Sequence, residues 1–409
     1  MRTILNHCTV IDGIITNEIH DAYIILEGDQ ITEVGVGNVE FMPTDHVFDC
    51  TGKYVLPGLI DCHVHLIWDG GTDPQAVVNN LSSEMEVLHA YKHATEYLQL
   101  GITTVRDVAS PNNSVLTVRN AINQNLLEGP TIIASGPAIC MTGGHVHYIG
   151  VEADGPDEVR KAARKLLKQG VDLIKLMATG GIYTFGEEPG SPQLTTEEML
   201  VAVEEAHKKN KKVAAHAEGL AGIRNCIEVG VDTIEHGIFA DDECLELMKE
   251  KGIYLVPTMV VMKRLAEDER IAPWALEKAK KVVAPHKSML EKAIKLGIKI
   301  ATGTDCGSPV TPPKYYFDEL IVMKEAGMKP IDVIHASTRI AADCLGIQDR
   351  GVISEGKKAD LLIVDQNPLD DLNALKGNKT VIKNGVFVNQ KSSFDSIDNV
   401  YNTLVSVSN

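Results

Sequence analysis

The stretch Val55-Leu56-Pro57-Gly58-Leu59-Ile60-Asp61-Cys62-His63-Val64-His65 begins as an apolar run and ends in two histidines separated by one residue. On a β-strand, alternate side chains point to the same face, so both imidazoles can converge on one point. Neutral imidazole is the commonest protein ligand for metal ions. The stretch therefore predicts a strand whose end carries a metal site.

Four further polar residues each close a later apolar run, namely Lys175, His216, His236 and Asp305. With His63 and His65 they make six candidate ligands at predicted strand ends. This combination of imidazole, carboxylate and lysine side chains indicates a hydrolytic metal centre.

Lys175 is the most unusual member of the set because it lies inside the apolar segment Asp172-Leu173-Ile174-Lys175-Leu176-Met177. A lysine is almost never fully buried without a partner, because burying an ammonium group is costly. We therefore expect Lys175 to lose its charge, pair with an anion or be chemically altered.

Apolar strands and amphipathic helices alternate from Leu56 onward, over some three hundred residues. Glycines fall between a helix and the next strand, where a helix C-cap belongs: Gly101, Gly170, Gly230, Gly252 and Gly297. The eight predicted strands are Gly58–His65, Ile102–Val108, Thr131–Gly136, Val171–Met177, Lys212–Ala217, Val231–Glu235, Ile253–Pro257 and Ile298–Thr304. This α/β pattern predicts a (β/α)8 TIM-type barrel over residues 57–350, with all six candidate ligands around the mouth at the C-terminal ends of the strands.

The predicted helices between the strands include Glu84–Leu98, Asp157–Lys168, Glu197–Lys208 and Leu276–Lys295, and a last one covers Ile331–Leu345. Thr195 and Glu198 are spaced as a capping box at the start of one of them. Short strand patterns fill residues 1–56 and return from Gly351, so residues 1–56 and 351–409 are expected to form one composite β-sandwich domain. The polar tail from about Gln390 is expected to be loosely ordered.

Composition excludes several classes of partner. The net charge of −17 argues against nucleic acid and anionic membranes. No segment approaches the length of a membrane helix and the N-terminus reads as a strand, so we expect a cytoplasmic protein without a membrane partner. The eight scattered cysteines read as free thiols. Cys62 and Cys306 flank candidate ligands and are interpreted as packed core thiols.

The chain resembles the amidohydrolase superfamily over nearly its whole length, and it is most similar to the prolidase-like metal-dependent carboxypeptidases and dipeptidases. The motifs that carry the resemblance are Pro57-Gly58-Leu59-Ile60-Asp61-Cys62-His63-Val64-His65, Thr142-Gly143-Gly144-His145, Lys175-Leu176-Met177-Ala178-Thr179-Gly180-Gly181, Ala214-Ala215-His216-Ala217, Thr233-Ile234-Glu235-His236-Gly237 and Gly351-Val352-Ile353-Ser354-Glu355-Gly356-Lys357-Lys358-Ala359-Asp360-Leu361.

The resemblance implies two divalent metal ions. Histidine and oxygen ligands make zinc the expected metal, with manganese and cobalt as alternatives. His63, His65 and Asp305 would bind one ion, and His216 and His236 the other. A carboxylated Lys175 would bridge both ions, which also removes the problem of a buried cation. The family further implies a homo-oligomer.

Two residues are predicted to act in catalysis. Asp305 would serve as general base and then general acid. His145, in a Gly-Gly-His loop after the third strand, would donate a hydrogen bond to the oxyanion. His147 is a weaker candidate in the same loop.

Three residues are predicted to contact the substrate: Tyr183, Glu218 and Arg224. Tyr183 lies in a glycine- and proline-rich loop, residues 179–192, that reads as an active-site lid. Glu218 stands where many prolidase-like relatives have tyrosine or histidine, so it would face a cationic substrate group. Arg224 and Arg106 would pair with a substrate carboxylate, although Arg106-Asp107 also reads as a structural ion pair.

The leading hypothesis is a hydrolase that cleaves the amide bond of a dipeptide or an N-acyl amino acid. A mononuclear deaminase or an imidazolonepropionase-like cyclic-amide hydrolase is an alternative, which the His216-Ala217-Glu218 sequence favours and Lys175 disfavours. A lactone or phosphotriester hydrolase is another, because fold and metal do not fix the substrate. A scaffold without catalytic activity would not be expected to keep six ligands.

Overall fold

The computed structural model describes residues 2–388. Strands from both ends of this range form one mixed sheet of eight, in the order β17-β16-β15-β5-β1-β2-β3, with β4 beside β1. Their bounds are β1 Arg2–Val10, β2 Ile19–Glu27, β3 Gln30–Val36, β4 His46–Asp49, β5 Tyr54–Pro57, β15 Leu361–Val364, β16 Lys379–Lys383 and β17 Val386–Phe387.

The two ends of the chain meet where β15 pairs antiparallel with β5, from Leu361 opposite Pro57 to Val364 opposite Tyr54. The expected sandwich thus takes the form of a single sheet around one apolar core, to which both chain ends contribute, including Leu5, Ile24, Val55, Leu361 and Ile382. The predicted tail from Gln390 lies outside the described residues.

Parallel strands make up the central part of the chain. Three form the sheet β6-β7-β8 and six form the sheet β10-β9-β11-β12-β13-β14. Their bounds are β6 Leu59–Val64, β7 Ile102–Asp107, β8 Thr131–Ala134, β9 Ala138–Cys140, β10 Gly150–Glu152, β11 Leu173–Met177, β12 Lys212–Ala217, β13 Thr233–His236 and β14 Tyr254–Val256.

Backbone hydrogen bonds link the two parallel sheets. The predicted last strand, Ile298–Thr304, is not part of either sheet, but it contacts both: Ala301 N donates to Leu255 O at 3.0 Å and Cys62 N donates to Thr302 O at 2.8 Å. On the other side, Asp172 N donates to Ala134 O at 2.9 Å. The segment Ile298–Thr304 therefore lies between β14 and β6.

Twelve α-helices occur among residues 2–388: α1 Pro74–Asn80, α2 Ser83–Gln99, α3 Ser114–Asn123, α4 Pro156–Gln169, α5 Thr196–His207, α6 Leu220–Val229, α7 Asp242–Lys251, α8 Met259–Glu267, α9 Pro273–Leu296, α10 Tyr316–Glu325, α11 Pro330–Ala336 and α12 Arg339–Leu345. Short 3-10 helices cover His147–Ile149, Pro313–Tyr315 and Leu372–Lys376. The predicted capping box is present, since the Thr195 side chain accepts from Glu198 N and the Glu198 carboxylate accepts from Thr195 N.

One helix prediction was wrong. The segment Ile331–Leu345 is two helices, α11 and α12, because Ser337 and Thr338 interrupt it. The Thr338 hydroxyl donates to the carbonyl of Ile334 at 2.6 Å, and such back-bonding competes with the helical ladder. The carbonyl of Ser337 instead accepts a hydrogen bond from Ile60 N of β6 at 2.8 Å.

Within residues 2–388, no helix combines the length and the apolar character that crossing a lipid bilayer requires.

Candidate metal centre

All six predicted ligands line a single buried pocket. The side-chain nitrogens of His63 and His65 lie 3.7 and 3.2 Å from the same Asp305 oxygen. The potential ligand atoms of His63, His236 and Asp305 all lie within 4.8 Å of one another. The pocket has a volume of about 50 Å³ and is lined by His63, His65, Trp68, Pro74, His145, Val146, Tyr148, Lys175, Met177, Tyr183, His216, His236, Val261, Met262, Leu265, Asp305, Ser308 and Pro309.

Two of the ligand residues end their segments with an uncommon backbone conformation. His236 has φ 69° and Asp305 has φ 57°, in the left-handed region that side chains with a Cβ seldom adopt. The turn at Asp305 is held by a hydrogen bond from Asp305 N to His63 O at 2.7 Å. Strain of this kind concentrates at functional sites, and here it occurs at the rim of the pocket.

Hydrogen bonds fix the rings of three histidines through Nδ1. His63 Nδ1 donates to a Glu235 carboxylate oxygen at 2.7 Å, and His65 Nδ1 donates to Ala109 O at 3.0 Å. His236 Nδ1 contacts the Thr258 hydroxyl at 2.7 Å, and that hydroxyl is itself 2.7 Å from Pro257 O. An imidazole that donates from Nδ1 keeps the lone pair of Nε2 for a metal ion.

The pocket holds His216, His236 and Asp305 in the protonation states that can bind a metal ion. Burial lowers the pKa values of His216 and His236 well below the ordinary value, which keeps these imidazoles neutral. Burial by itself would raise the pKa of Asp305, but His63 and His65 hold it well below its usual range. Neutral imidazoles beside an ionised carboxylate are the donor set that zinc prefers.

Lys175 provides the clearest test of whether two ions fit. Its side chain is 1% exposed, and Nζ has no hydrogen-bond partner among residues 2–388. Burial lowers the pKa of this amine to about 8. A buried amine without a partner among residues 2–388, inside a ring of candidate ligands, fits the chemistry of a carboxylated lysine.

Sequence reasoning missed Glu235, which lies beneath the site. Its carboxylate contacts His63 on one side and Arg106 Nη2 at 2.8 Å on the other. Burial works against the charge, but Arg106 lowers the pKa of Glu235 well below its usual range. A charged residue inside the apolar strand Thr233–His236 was the available signal.

Both interpretations of Arg106 were wrong. The guanidinium is 1% exposed and pairs with Glu235, so it neither meets a substrate carboxylate nor forms an ion pair with Asp107. The Asp107 carboxylate instead accepts from Leu66 N at 2.8 Å. Arg106 lies in the interior and holds Glu235 in place below His63.

His145 lies directly over a ligand. Its ring stacks on His216 with centroids 4.4 Å apart and planes inclined by 27°. Glu187, which sequence reasoning also missed, contacts His145 Nδ1 at 3.1 Å and accepts from Gln193 Nε2 at 2.7 Å. The loop of residues 179–192 therefore positions His145 through Glu187.

The three predicted substrate contacts have different outcomes. Tyr183 lines the pocket, and its hydroxyl donates to Thr72 O. Glu218 is fully buried behind His216, with one oxygen 3.8 Å from His216 Nε2, and it is absent from the pocket wall. Burial raises its pKa well above the ordinary value. The placement therefore does not fit a contact with a cationic substrate group.

Arg224 also lies away from the site. It is on the outer face of α6 and pairs with Asp241 at 2.8 Å and Glu243 at 2.7 Å. The helical period turns Ile223 and Cys226 inward and Arg224 outward. The prediction that Arg224 contacts substrate is not supported by this geometry.

The flanking thiols fit the core interpretation. Cys62 and Cys306 are fully buried, and their sulfur atoms contact the carbonyl oxygens of Ala341 at 3.8 Å and Pro312 at 3.4 Å. Neither lines the pocket.

Comparison with known proteins identifies the family, because residues 54–388 match the model of the Amidohydrolase family. The chain belongs to this family. Ochratoxinase from Aspergillus niger is 32% identical over 364 residues, which are 80% of this chain and 73% of that protein. These matches support a metal-dependent hydrolase that acts on C–N bonds.

Two solved structures are close to this amidohydrolase. A Xaa-Pro dipeptidase with methionine bound in its active site has a TM-score of 0.89 and 33% identity, covering 95% of this chain and all of the other. A prolidase in complex with N-methylphosphonate-L-proline has a TM-score of 0.89 and 27% identity, covering 96% of this chain and all of the other. The prolidase-like resemblance of the sequence is confirmed. Neighbours of this fold imply a TIM-type barrel.

Proposed function

We propose that this amidohydrolase cleaves the amide bond of a dipeptide or an N-acyl amino acid at a site with two divalent metal ions, with zinc as the expected metal. The observation that carries the proposal is Lys175, whose buried Nζ lacks a partner among six converging candidate ligands. The ions would be held by His63, His65 and Asp305 and by His216 and His236, with a carboxylated Lys175 between them.

Divalent ions at such a site lower the pKa of a bound water and polarise a carbonyl. Asp305 would take the proton from the attacking water and return it to the leaving nitrogen. Ser308 supports this role, because its hydroxyl donates to Asp305 Oδ1 at 2.7 Å and so holds the carboxylate at the pocket wall.

His145 would stabilise the oxyanion. With Nδ1 engaged by Glu187, Nε2 is the ring nitrogen left to face a substrate oxygen. A hydrogen bond from Nε2 to that oxygen requires a hydrogen on Nε2. Preorganised donors of this kind are commonly a large part of catalysis in acyl transfer.

Similarity to a Xaa-Pro dipeptidase and to ochratoxinase supports an amide as the scissile bond. We also propose that residues 57–350 form a (β/α)8 TIM-type barrel and that the rest of the described range, residues 2–56 and 351–388, forms the second domain. A cytoplasmic location, a homo-oligomeric state and the lack of nucleic-acid and membrane partners stay predictions.

A mononuclear deaminase or imidazolonepropionase-like hydrolase is the second candidate. The placement of Glu218 near His216 Nε2 favours it, since a carboxylate there can shuttle protons. Lys175 argues against it, because one metal ion would leave the buried amine without a role. A lactone or phosphotriester hydrolase would use the same ligands.

Metal content per subunit tests the proposal. We expect about two equivalents of zinc or manganese in the wild-type protein, and at most one in Lys175→Met, together with loss of dipeptide hydrolysis. Lys212→Met is the matched control, because Lys212 lies at the opposite end of the neighbouring strand β12 and pairs with Asp232.

The alternatives predict different metal contents. One equivalent in the wild-type protein would favour the mononuclear class. No metal after reconstitution with bicarbonate would favour a scaffold. Two equivalents that persist in Lys175→Met would contradict the bridging role of Lys175.

A further inference from the structure

A second cavity adjoins the catalytic pocket. It has a volume of about 410 Å³, and we refer to it as the outer cavity. It shares Pro74, Tyr148 and Tyr183 with the catalytic pocket, so these three residues form a common wall between the two spaces. Its lining residues are Thr72, Asp73, Pro74, Gln75, His147, Tyr148, Tyr183, Thr184, Phe185, Arg270, Ala272 and Trp274.

The two spaces differ in what they can hold. A cavity of about 150 Å³ is enough for one benzene ring. The catalytic pocket, at about 50 Å³, is too small for a ring even before metal ions are counted, whereas the outer cavity has ample room. The outer cavity is therefore the space in which a bulky substrate group fits beside a scissile amide at the catalytic pocket.

Aromatic side chains dominate one wall of the outer cavity. The rings of Tyr183 and Phe185 lie 5.4 and 5.7 Å from the ring of Trp274, at angles of 51° and 76°. Phe185 is 79% exposed, which is unusual for a phenylalanine. Edge-to-face arrangements at these distances are favourable between aromatic groups, so a further ring can add to this cluster.

The charged groups at the rim are already paired. Arg270 contacts Asp268 at 2.6 Å, and the Asp73 carboxylate caps α1 by accepting from Ala76 N at 2.9 Å. The Lys278 ammonium lies 5.2 Å from the centre of the Trp274 ring and donates to Thr184 O at 2.9 Å. The aromatic faces of Tyr183, Phe185 and Trp274 are therefore the part of the wall that can take up an apolar ring, beside polar groups such as Thr72 and Gln75.

We propose that the outer cavity binds an aromatic group of the substrate, so that the protein prefers amides carrying a ring on one side of the scissile bond. This inference rests on the proposed amide hydrolysis and specifies the substrate class. Tyr183, Phe185 and Trp274 are the residues that determine the preference.

Paired substrates test the preference and identify which side of the amide carries the ring. N-benzoylglycine against N-acetylglycine places the ring on the acyl side, and N-acetylphenylalanine against N-acetylalanine places it on the amine side. We expect kcat/KM to be at least tenfold higher for the ring-bearing member of one pair. Phe185→Ala and Trp274→Leu should each reduce that preference about fivefold to tenfold, as the loss of one aromatic contact predicts.

Phe41→Ala is the matched control, because Phe41 is also exposed, at 53%, but lies outside both cavities. Phe41→Ala should leave kcat/KM unchanged for both members of each substrate pair. Equal kcat/KM within both substrate pairs, or equal losses on both members of a pair in Phe185→Ala, would overturn the proposal.

Binding without hydrolysis separates this inference from the proposed function. The chain has two tryptophans, so in Trp68→Phe the emission comes from Trp274 alone. We expect benzyl alcohol, which has no amide, to change this emission saturably, and Phe185→Ala to shift the midpoint about fivefold or more to higher concentration. Tert-butanol should have no saturable effect.

The combined outcomes are distinguishable. Saturable binding of benzyl alcohol without hydrolysis of any amide would support the aromatic site and contradict the proposed function. Amide hydrolysis without saturable binding of benzyl alcohol would overturn the aromatic site and leave the proposed function standing.

Discussion

Asp305 shows how much of the site depends on one residue. Its left-handed backbone turns the carboxylate toward the rings of His63 and His65, and the Ser308 hydroxyl holds one of its oxygens. Asp305 is the proposed proton carrier as well as a proposed ligand. A change of charge at this residue should therefore affect catalysis more than folding.

We predict that Asp305→Asn lowers kcat for dipeptide hydrolysis by about 10² to 10⁴, the usual contribution of a general base. The amide is nearly the same size as the carboxylate, so the thermal unfolding midpoint should change little. Ser308→Ala removes only the supporting hydrogen bond and should cost far less activity. A folded Asp305→Asn protein that keeps its metal and full activity would refute the assignment.

Among the elements, α8 is anchored from α10 by a buried carboxylate. Glu319 is fully buried and accepts from Met259 N at 3.0 Å and Val260 N at 2.6 Å, the first residues of α8. Thr258, which contacts the His236 ring, comes immediately before this helix. Glu319 thus stabilises the turn that orients His236.

Glu319 should make stability depend on pH. Burial outweighs the two N–H donors and raises the pKa of Glu319 from its usual 4.5 to about 8. The folded state therefore keeps a proton that the unfolded state releases. The stabilisation is complete below pH 4.5 and is lost as pH rises through 8.

We predict that Glu319→Gln, which cannot ionise, removes this dependence, at a cost that does not vary with pH because the amide nitrogen replaces one of the two acceptors. The free energy of unfolding of the wild type should fall relative to the variant by on the order of a few kcal/mol between about pH 4.5 and 8. Chemical denaturation at several pH values measures this. Asp318→Asn, an exposed neighbour that pairs with Lys376, should show no such trend. Parallel pH profiles for wild type and Glu319→Gln would contradict the prediction.

At the scale of the whole molecule, a buried ion cluster joins the composite sheet to the parallel sheets. Asp360, just before β15, accepts from Lys383 Nζ at 2.7 Å and Arg350 Nη1 at 3.0 Å. Both cations also contact the hydroxyl of Thr131 in β8. Removing Asp360 would leave the buried Lys383 ammonium without an anionic partner and would leave Arg350 paired only with the exposed Asp349.

We predict that Asp360→Ala lowers the free energy of unfolding by about 3–5 kcal/mol, as expected when one partner of a buried ion pair is lost. Asp365→Ala is the control, because Asp365 forms an exposed pair with Lys53 and should contribute at most about 1 kcal/mol. Urea denaturation of both variants gives the comparison. Equally small losses of unfolding free energy in Asp360→Ala and Asp365→Ala would show that the ion cluster around Asp360 does not hold the composite sheet to the parallel sheets.

The sequence by itself determined most of the elements and the set of candidate ligands. Hydrophobic periodicity is a local property, so it located strands such as Lys212–Ala217 to the residue. Histidine, lysine and aspartate at strand ends identified the pocket, because parallel strands of alternating βα units end on one side.

Only the tertiary structure decided which distant side chains meet. Glu235 bridges His63 and Arg106, and Glu187 holds His145 across 42 residues of chain. The tertiary structure also places Arg224 on the outer face of α6, away from the site, and Glu218 behind the candidate ligand His216. Such contacts depend on the relative rotation of elements and on loop paths. Those are set by packing between segments far apart in the chain, which local residue patterns do not encode.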